Sequence, residues 1–357
     1  MWSWSAAVLA KPREATTTTQ PASGFASFGS SDGGAPACGE GGAAAAATGI
    51  EDLPADVLSL VLRRLDGASL AAVGCASAGL RGLAADPDAW RGLCLAMWPS
   101  LRALPRYSSS SAADYSPHRA LFADAFPFPA PPPSPSTTSS ALPARLVSAV
   151  DLRHGGELVL SRAVETDASS AWFQGAPFRV DALVQESFTA CPAAAPLAAP
   201  DLTLTWVLID PASGRALRAS SGRAVAVDRA WVTGDTVARF AVVLGGGAQP
   251  PLALAAAVAC DERRGWVREV SLRVEDADGA GVSGRDGLRA VAEAMAAGAR
   301  RGGRGAEREA RARYEEFVRG RRARKEWKAR REGCIDLCCS GVGAAAFLAF
   351  LVMLALR

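Results

Sequence analysis

The sequence has 357 residues, with 39 Lys and Arg against 36 Asp and Glu, a net charge of +3 that says little about partners. Such a length accommodates units of about 100–200 residues each, and the 35 Gly and 22 Pro that interrupt the chain argue for two folded units rather than one continuous domain. Its eight cysteines are scattered without a CxxC pair, which excludes a secreted disulfide framework and fits a reducing cytosolic or nuclear setting.

In chain order, residues 1–48 carry a Thr run, a Gly/Ser patch and an Ala run. This composition buries too little apolar surface to offset the entropy of ordering, so a disordered N-terminal segment is expected. Residues 49–101 then read as a small all-helical module. Asp52 is a plausible N-cap, Pro54 suits a first helical turn, and Leu53, Val57, Leu58, Val61, Leu62 and Leu65 recur at helical spacing. That helix is expected to end near Asp66 and Gly67. A second carries Leu70 and Val73, a third Leu80 and Leu83, and Asp86-Pro87 starts a fourth that turns Trp90, Leu93 and Trp98 inward. A module of about 50 residues has a marginal core unless something covers it. Packing against a partner meets that need.

The pattern Leu53-Pro-x-Asp-Val-Leu, Leu62-x-x-Leu65, Leu70-x-x-Val73-x-Cys75-x-Ser77 and Asp86-Pro-x-x-Trp90 resembles an F-box over its whole length. Where many members carry a basic residue and an aromatic after the Cys, this chain has Ser77-Ala78-Gly79. The resemblance implies binding to a Skp-type adaptor and, through it, to cullin and RING subunits. The residues it assigns to that contact are Leu53, Pro54, Val57, Leu58, Leu65, Leu70, Val73 and Trp90.

Residues 102–144 read as loop and Pro/Ser-rich linker, with one or two helical turns at 117–126 whose apolar side is Leu121, Phe122 and Phe126. Over 145–284 the period shifts to two. Short strands are expected at 146–152, 157–164, 178–184, 202–209, 215–219, 224–227, 237–244, 252–260 and 267–274, separated by Gly, Pro and Asp turn signals. Many short strands without long helices between them predict an antiparallel, sandwich-like β domain, and so an α+β chain. Its phrases VDLRHGGELVLSRAVET and WVLIDPASGRALRASSGRAVAVDRAWVTGDT are similar to the region that follows the motif in a plant F-box subfamily. This implies a shared architecture in which the β domain holds an unknown target protein. A looser similarity to phloem-lectin domains leaves a membrane-tethered, lectin-like module that builds no active ligase as the alternative.

Residues 285–333 read as a charged helical stalk. Between 300 and 331 there are 14 basic and 5 acidic residues, an excess of nine positive charges, so the remainder carries net −6. No groove-reading motif accompanies this charge, and no nucleic-acid partner is expected. Residues 337–356 carry no charged residue and span about 30 Å as a helix, the thickness of a bilayer core. With the basic cluster before it, this reads as a single-pass C-terminal tail anchor that leaves the body facing the cytosol; cytoplasm or nucleus is the alternative. Cys334, Cys338 and Cys339 fall at the expected interface and are candidates for palmitoylation. As a zinc site they are one ligand short.

Catalytic chemistry is hard to assemble from what remains. His118 and His154 have no partner at a spacing that suggests a triad, and no phosphate-binding GxxxxGK[ST] occurs. The cluster Glu275-Asp276-Ala277-Asp278-Gly279 lacks the later ligands of a calcium loop and reads as a turn. Trp172, Trp206, Trp231 and Trp266 are expected in the β-domain core. The expectation is therefore a non-catalytic adaptor of a ubiquitin ligase, without cofactor or metal.

Overall fold

Short helices make up residues 50–97 because caps and prolines break the chain there every seven to eleven residues. The computed structural model describes residues 50–108, 117–131, 141–184, 189–190, 197–246, 249–262, 264–303 and 305–357. The lead-in at 1–48 and most of the Pro/Ser-rich stretch lie outside them. A 3-10 turn at Ile50–Asp52 precedes α1 (Ala55–Leu62), α2 (Gly67–Val73), α3 (Ala78–Ala84) and α4 (Pro87–Met97). Asp66 caps α2 by accepting from the Ser69 N–H at 2.9 Å, and Ser77 caps α3 from Leu80 N–H at 3.2 Å. Asp86 caps α4, with Pro87 at its first position. Asp52, expected as the cap of α1, lies in the 3-10 turn instead, and Pro54 occupies the cap position without a side-chain bond.

The segment expected to be loop and linker is only partly so. After a 3-10 turn at Pro99–Ala103 come α5 (Pro105–Ser108), α6 (Pro117–Ala125) and β1 (Phe128–Pro129). Leu121, Phe122 and Ala125 are buried, and the Phe122 ring sits 5.2 Å from Trp90 and 6.1 Å from Trp98. Helix α6 thus supplies the apolar surface that a 50-residue module lacks by itself.

The β region follows as β2 (Arg145–His154), β3 (Glu157–Asp167), α7 (Ala171–Gly175), β4 (Arg179–Leu183), β5 (Thr189–Ala190), β6 (Leu202–Ile209), β7 (Ala216–Arg218), β8 (Ala226–Arg229), β9 (Thr236–Gly246), β10 (Gln249–Asp261) and β11 (Trp266–Glu275). It closes with α8 (Gly284–Ala297), β12 (Arg300–Arg301) and α9 (Ala306–Ala355). Every strand pairing is antiparallel. One sheet has the order β3-β2-β6-β7, and the other β4-β11-β10-β9-β8 with β5 beside β11. The α+β fold class expected from the sequence holds. Gly155 and Gly156, at φ +58° and +94°, make the two-residue turn between β2 and β3, where only positive φ matches the strand twist.

Alternation explains the layering. Leu202, Leu204, Trp206 and Leu208 of β6 point into the core between the sheets, where they join Phe240 and Val242 of β9, Leu254 and Val258 of β10, and Leu288 and Val291 of α8. The outward residues are buried too. Val207 and Ile209, with Val147 and Ala149 of β2, enter the same cluster as Leu62, Leu70, Trp90, Trp98 and Phe122 of the helical module. On the opposite sheet, Ala241, Val243, Ala253 and Ala255 are covered by Tyr314 and Phe317 of α9. The result is four layers: short helices, sheet, sheet, long helix.

Helix α9 runs 50 residues, about 75 Å. This charged helix is docked along its first six turns. Ala306, Ala310, Tyr314 and Phe317 are buried, and Arg313 donates to the carbonyls of Pro129 (2.8 Å) and Val243 (3.0 Å). Arg321 then pairs with Glu275 at 2.9 Å, while Arg324 and Lys328 both reach Asp278, at 3.1 and 2.8 Å. Past Lys328 every residue of α9 is exposed.

Candidate protein-docking surface

Helix α1 is too short to be stable alone and is held by what it buries. Leu58 and Leu62, four residues apart, face inward at 5% exposure each. The opposite face is apolar as well: Leu53 is 45% exposed, Val57 39%, Leu60 65% and Val61 47%, with Ile50 at 60% in the preceding turn. Residues 57, 60 and 61 share one side of α1 by spacing, and the exposed Leu53 and Pro54 lie just before its first turn. A row of exposed aliphatic side chains on one helix face is a candidate surface for protein contact.

Burial divides the eight residues assigned to this contact from the sequence. Leu53, Pro54 and Val57 are exposed, and Leu65 and Val73 are half-buried. Leu58, Leu70 and Trp90 are buried within the module's own core and support the strip from beneath. Leu60 and Val61 complete the exposed face. The helical spacing read from the sequence includes Val61 and omits Leu60, because an amphipathic count seeks one apolar side, whereas this helix has two.

The strip is held in place by several bonds. The buried Trp90 Nε1–H donates to the Ala84 carbonyl at 2.8 Å and fixes α4 to the end of α3. The Arg63 guanidinium reaches Asp86 at 3.1 Å, joining the end of α1 to the cap of α4. Below them, the Asp151 carboxylate of β2 accepts from the Ser100 N–H (3.0 Å), the Ser100 hydroxyl (2.6 Å) and the Ser161 hydroxyl (2.7 Å). Burial pushes this carboxyl above its ordinary 3.8 despite those donors. It is the polar joint between the helical module and the sheet.

Groups that raise the question of chemistry serve packing. His118 is buried with Nε2 3.1 Å from the Tyr107 carbonyl, and burial lowers its pKa, favouring the neutral ring. His154 Nε2 accepts from the Ala198 N–H at 3.1 Å. The Cys94 and Cys260 thiols are buried and pushed up to about 12 by that burial. The 275–279 cluster is a turn, as expected, in which Asp276 accepts from the N–H groups of Asp278 and Ala280. Among the described residues no group of three His, Cys, Asp or Glu could hold a metal ion. Of the four tryptophans expected in the core, Trp206 is fully buried, whereas Trp172 and Trp231 are 81% and 94% exposed. Both lie between strands, where the period-two pattern does not extend.

Comparison with known proteins gives a consistent result. The F-box-like family model matches residues 50–96. The chain is 35% identical over 302 residues to the probable F-box protein At2g36090 of Arabidopsis thaliana, an alignment covering 82% of this chain and 89% of that one. It is 32% identical over 333 residues to F-box protein At2g27310 of the same plant, covering 86% and 97%. It is also 32% identical to F-box protein At3g44326 of that plant, covering 79% and 84%. No solved structure matches.

Proposed function

The chain belongs to the F-box protein family, and from that premise we propose that it is the substrate-receptor subunit of an SCF-type ubiquitin ligase. In this reading the strip of Leu53, Pro54, Val57, Leu60 and Val61 docks on a Skp-type adaptor, which links to cullin and RING subunits. The β-sandwich presents a target protein. The observation that carries the reading is the exposed apolar face of α1 on a module sharing one core with β2 and β6. Bond formation belongs to the other subunits. A receptor contributes by raising the effective concentration of target lysines near the conjugating enzyme, which requires a stiff bridge and no catalytic side chain of its own.

The end of α9 supports a membrane address. It is long and apolar enough to cross a bilayer, and none of that stretch is buried against the rest of the chain. A tail anchor over residues 337–356 would hold the body in the cytosol, with the exposed Arg330 and Arg331 toward the headgroups. Deleting residues 337–357 is then expected to move the protein from the membrane to the soluble fraction. Persistent sedimentation with membranes would count against the anchor. For the receptor role, the test is recovery of both adaptor and cullin with the tagged chain; adaptor without cullin would remove the ligase reading.

A further inference from the structure

We propose that Cys334, Cys338 and Cys339 are sites of S-acylation, each carrying a long-chain fatty acyl group as a thioester. The inference rests on the tail-anchor reading and deepens it. Six cysteines lie among the described residues, and they fall into three settings. Cys94 and Cys260 are buried, with thiols that burial holds near 12, and so are shielded from any acyl donor. Cys75 is exposed on the helical module, whose surface is proposed for the adaptor. The remaining three are exposed and lie together on α9, within six residues of one another, where the charged stretch gives way to the apolar one.

Helix geometry places them at the membrane surface. The docked part of α9 ends with the Lys328–Asp278 pair. Cys334 follows six residues later, about 9 Å along the axis, and Cys338 and Cys339 fall in the first turn of the apolar span. Cys334 and Cys338, four apart, share a helix face. Just before them, Trp327 is 60% exposed with the Arg331 guanidinium 5.5 Å from its ring centroid, a pairing suited to the headgroup layer.

The span itself is uneven. Most of its first half, Ser340-Gly-Val-Gly-Ala-Ala-Ala346, is built almost wholly of small residues over about 10 Å, while the bulky side chains of the second half run from Phe347 to Leu356. The half that carries little lipophilic bulk is the half beside the cysteines. Acyl chains attached there would lie along that narrow flank and supply the missing apolar volume.

The step is a thioester exchange without redox change. A cysteine sulfur attacks the carbonyl carbon of a long-chain acyl-coenzyme A; the new C–S bond forms as the bond to the coenzyme A sulfur breaks, and coenzyme A leaves as the free thiol with the proton. In the test, the full chain is expressed in plant cells and membranes are separated. Free thiols are blocked with N-ethylmaleimide, thioesters are cleaved with neutral hydroxylamine, and the released thiols are tagged with a maleimide of large mass. Hydroxylamine-dependent tagging of up to three sites is expected in the membrane fraction. It should be lost in the combined C334S/C338S/C339S variant and retained in C75S. A membrane-bound chain with no such tags overturns the acylation alone, as does tagging that survives the triple substitution. A soluble, untagged chain overturns the anchor as well.

Discussion

Leu53 and Leu58 lie five residues apart and do opposite work: one is 45% exposed, the other 5%. Substitution should separate them. Val57→Glu and Leu60→Glu alter exposed side chains and are expected to leave stability within about 0.5 kcal/mol while removing adaptor binding. Trp90→Ala opens a cavity where a fully buried indole meets Phe122, and should destabilise by about 3–5 kcal/mol in urea unfolding. Adaptor binding would then fall only because the module unfolds. Asp151 gives a pH-dependent case. Its folded pKa is raised, so the folded state holds the proton more tightly than the unfolded chain. The stability it contributes is full below the unfolded pKa and declines as pH rises through the folded one. Wild type is therefore expected to gain stability relative to Asp151→Asn between about pH 7 and about pH 4, read from paired urea titrations. A pH-independent difference would contradict a carboxyl whose pKa burial raises. At this scale the sequence was legible in kind but not in role. Period 3.6 identified the apolar residues of α1, yet it could not say which face met the core, because both faces are apolar.

Strands were the most legible elements. The alternation in Leu-Thr-Leu-Thr-Trp-Val-Leu-Ile located β6 at 202–209, and that is where it lies. The end of the same run, Trp206-Val207-Leu208-Ile209, breaks the alternation, which is the sign of burial on both faces. The helices that cover the second face lie up to 150 residues away in sequence, so local pattern could not supply them. The turns expected at 117–126 form helix α6, but their place was not legible: flanked by Ser-rich and Pro-rich stretches, the segment gives no local sign that Phe122 packs between two tryptophans. Close packing between elements offers a sharper test. A Cβ on Gly284 would fall 1.8 Å from the Phe173 carbonyl oxygen, a backbone atom that cannot swing away. Gly284→Ala should destabilise by at least about 1–3 kcal/mol. Gly92→Ala, where nothing lies within 4 Å, should be neutral or slightly stabilising in the same unfolding assay. For α9, Asp278→Lys places like charge against Arg324 and Lys328. Hydrogen exchange is expected to rise over residues 318–330 while the turns around Tyr314 and Phe317 stay protected by their contact with Ala241 and Val243. Uniform exchange along the helix would show that the acidic turn does not hold it.

At the scale of the molecule, the four layers connect the two outer elements through a single packed body. The α1 strip stands on one sheet and α9 lies on the other, and neither is joined by a flexible linker among the described residues. This arrangement suits a receptor, whose contribution is geometric. In the proposed role the chain enters a ligase through the exposed face of α1. Its most direct test is purification of the tagged full chain from plant cells, beside the Val57→Glu/Leu60→Glu variant, with adaptor and cullin measured in each. Both proteins are expected with the wild-type chain and neither with the variant, which should keep its unfolding midpoint. Equal recovery of adaptor and cullin with the two chains would contradict it.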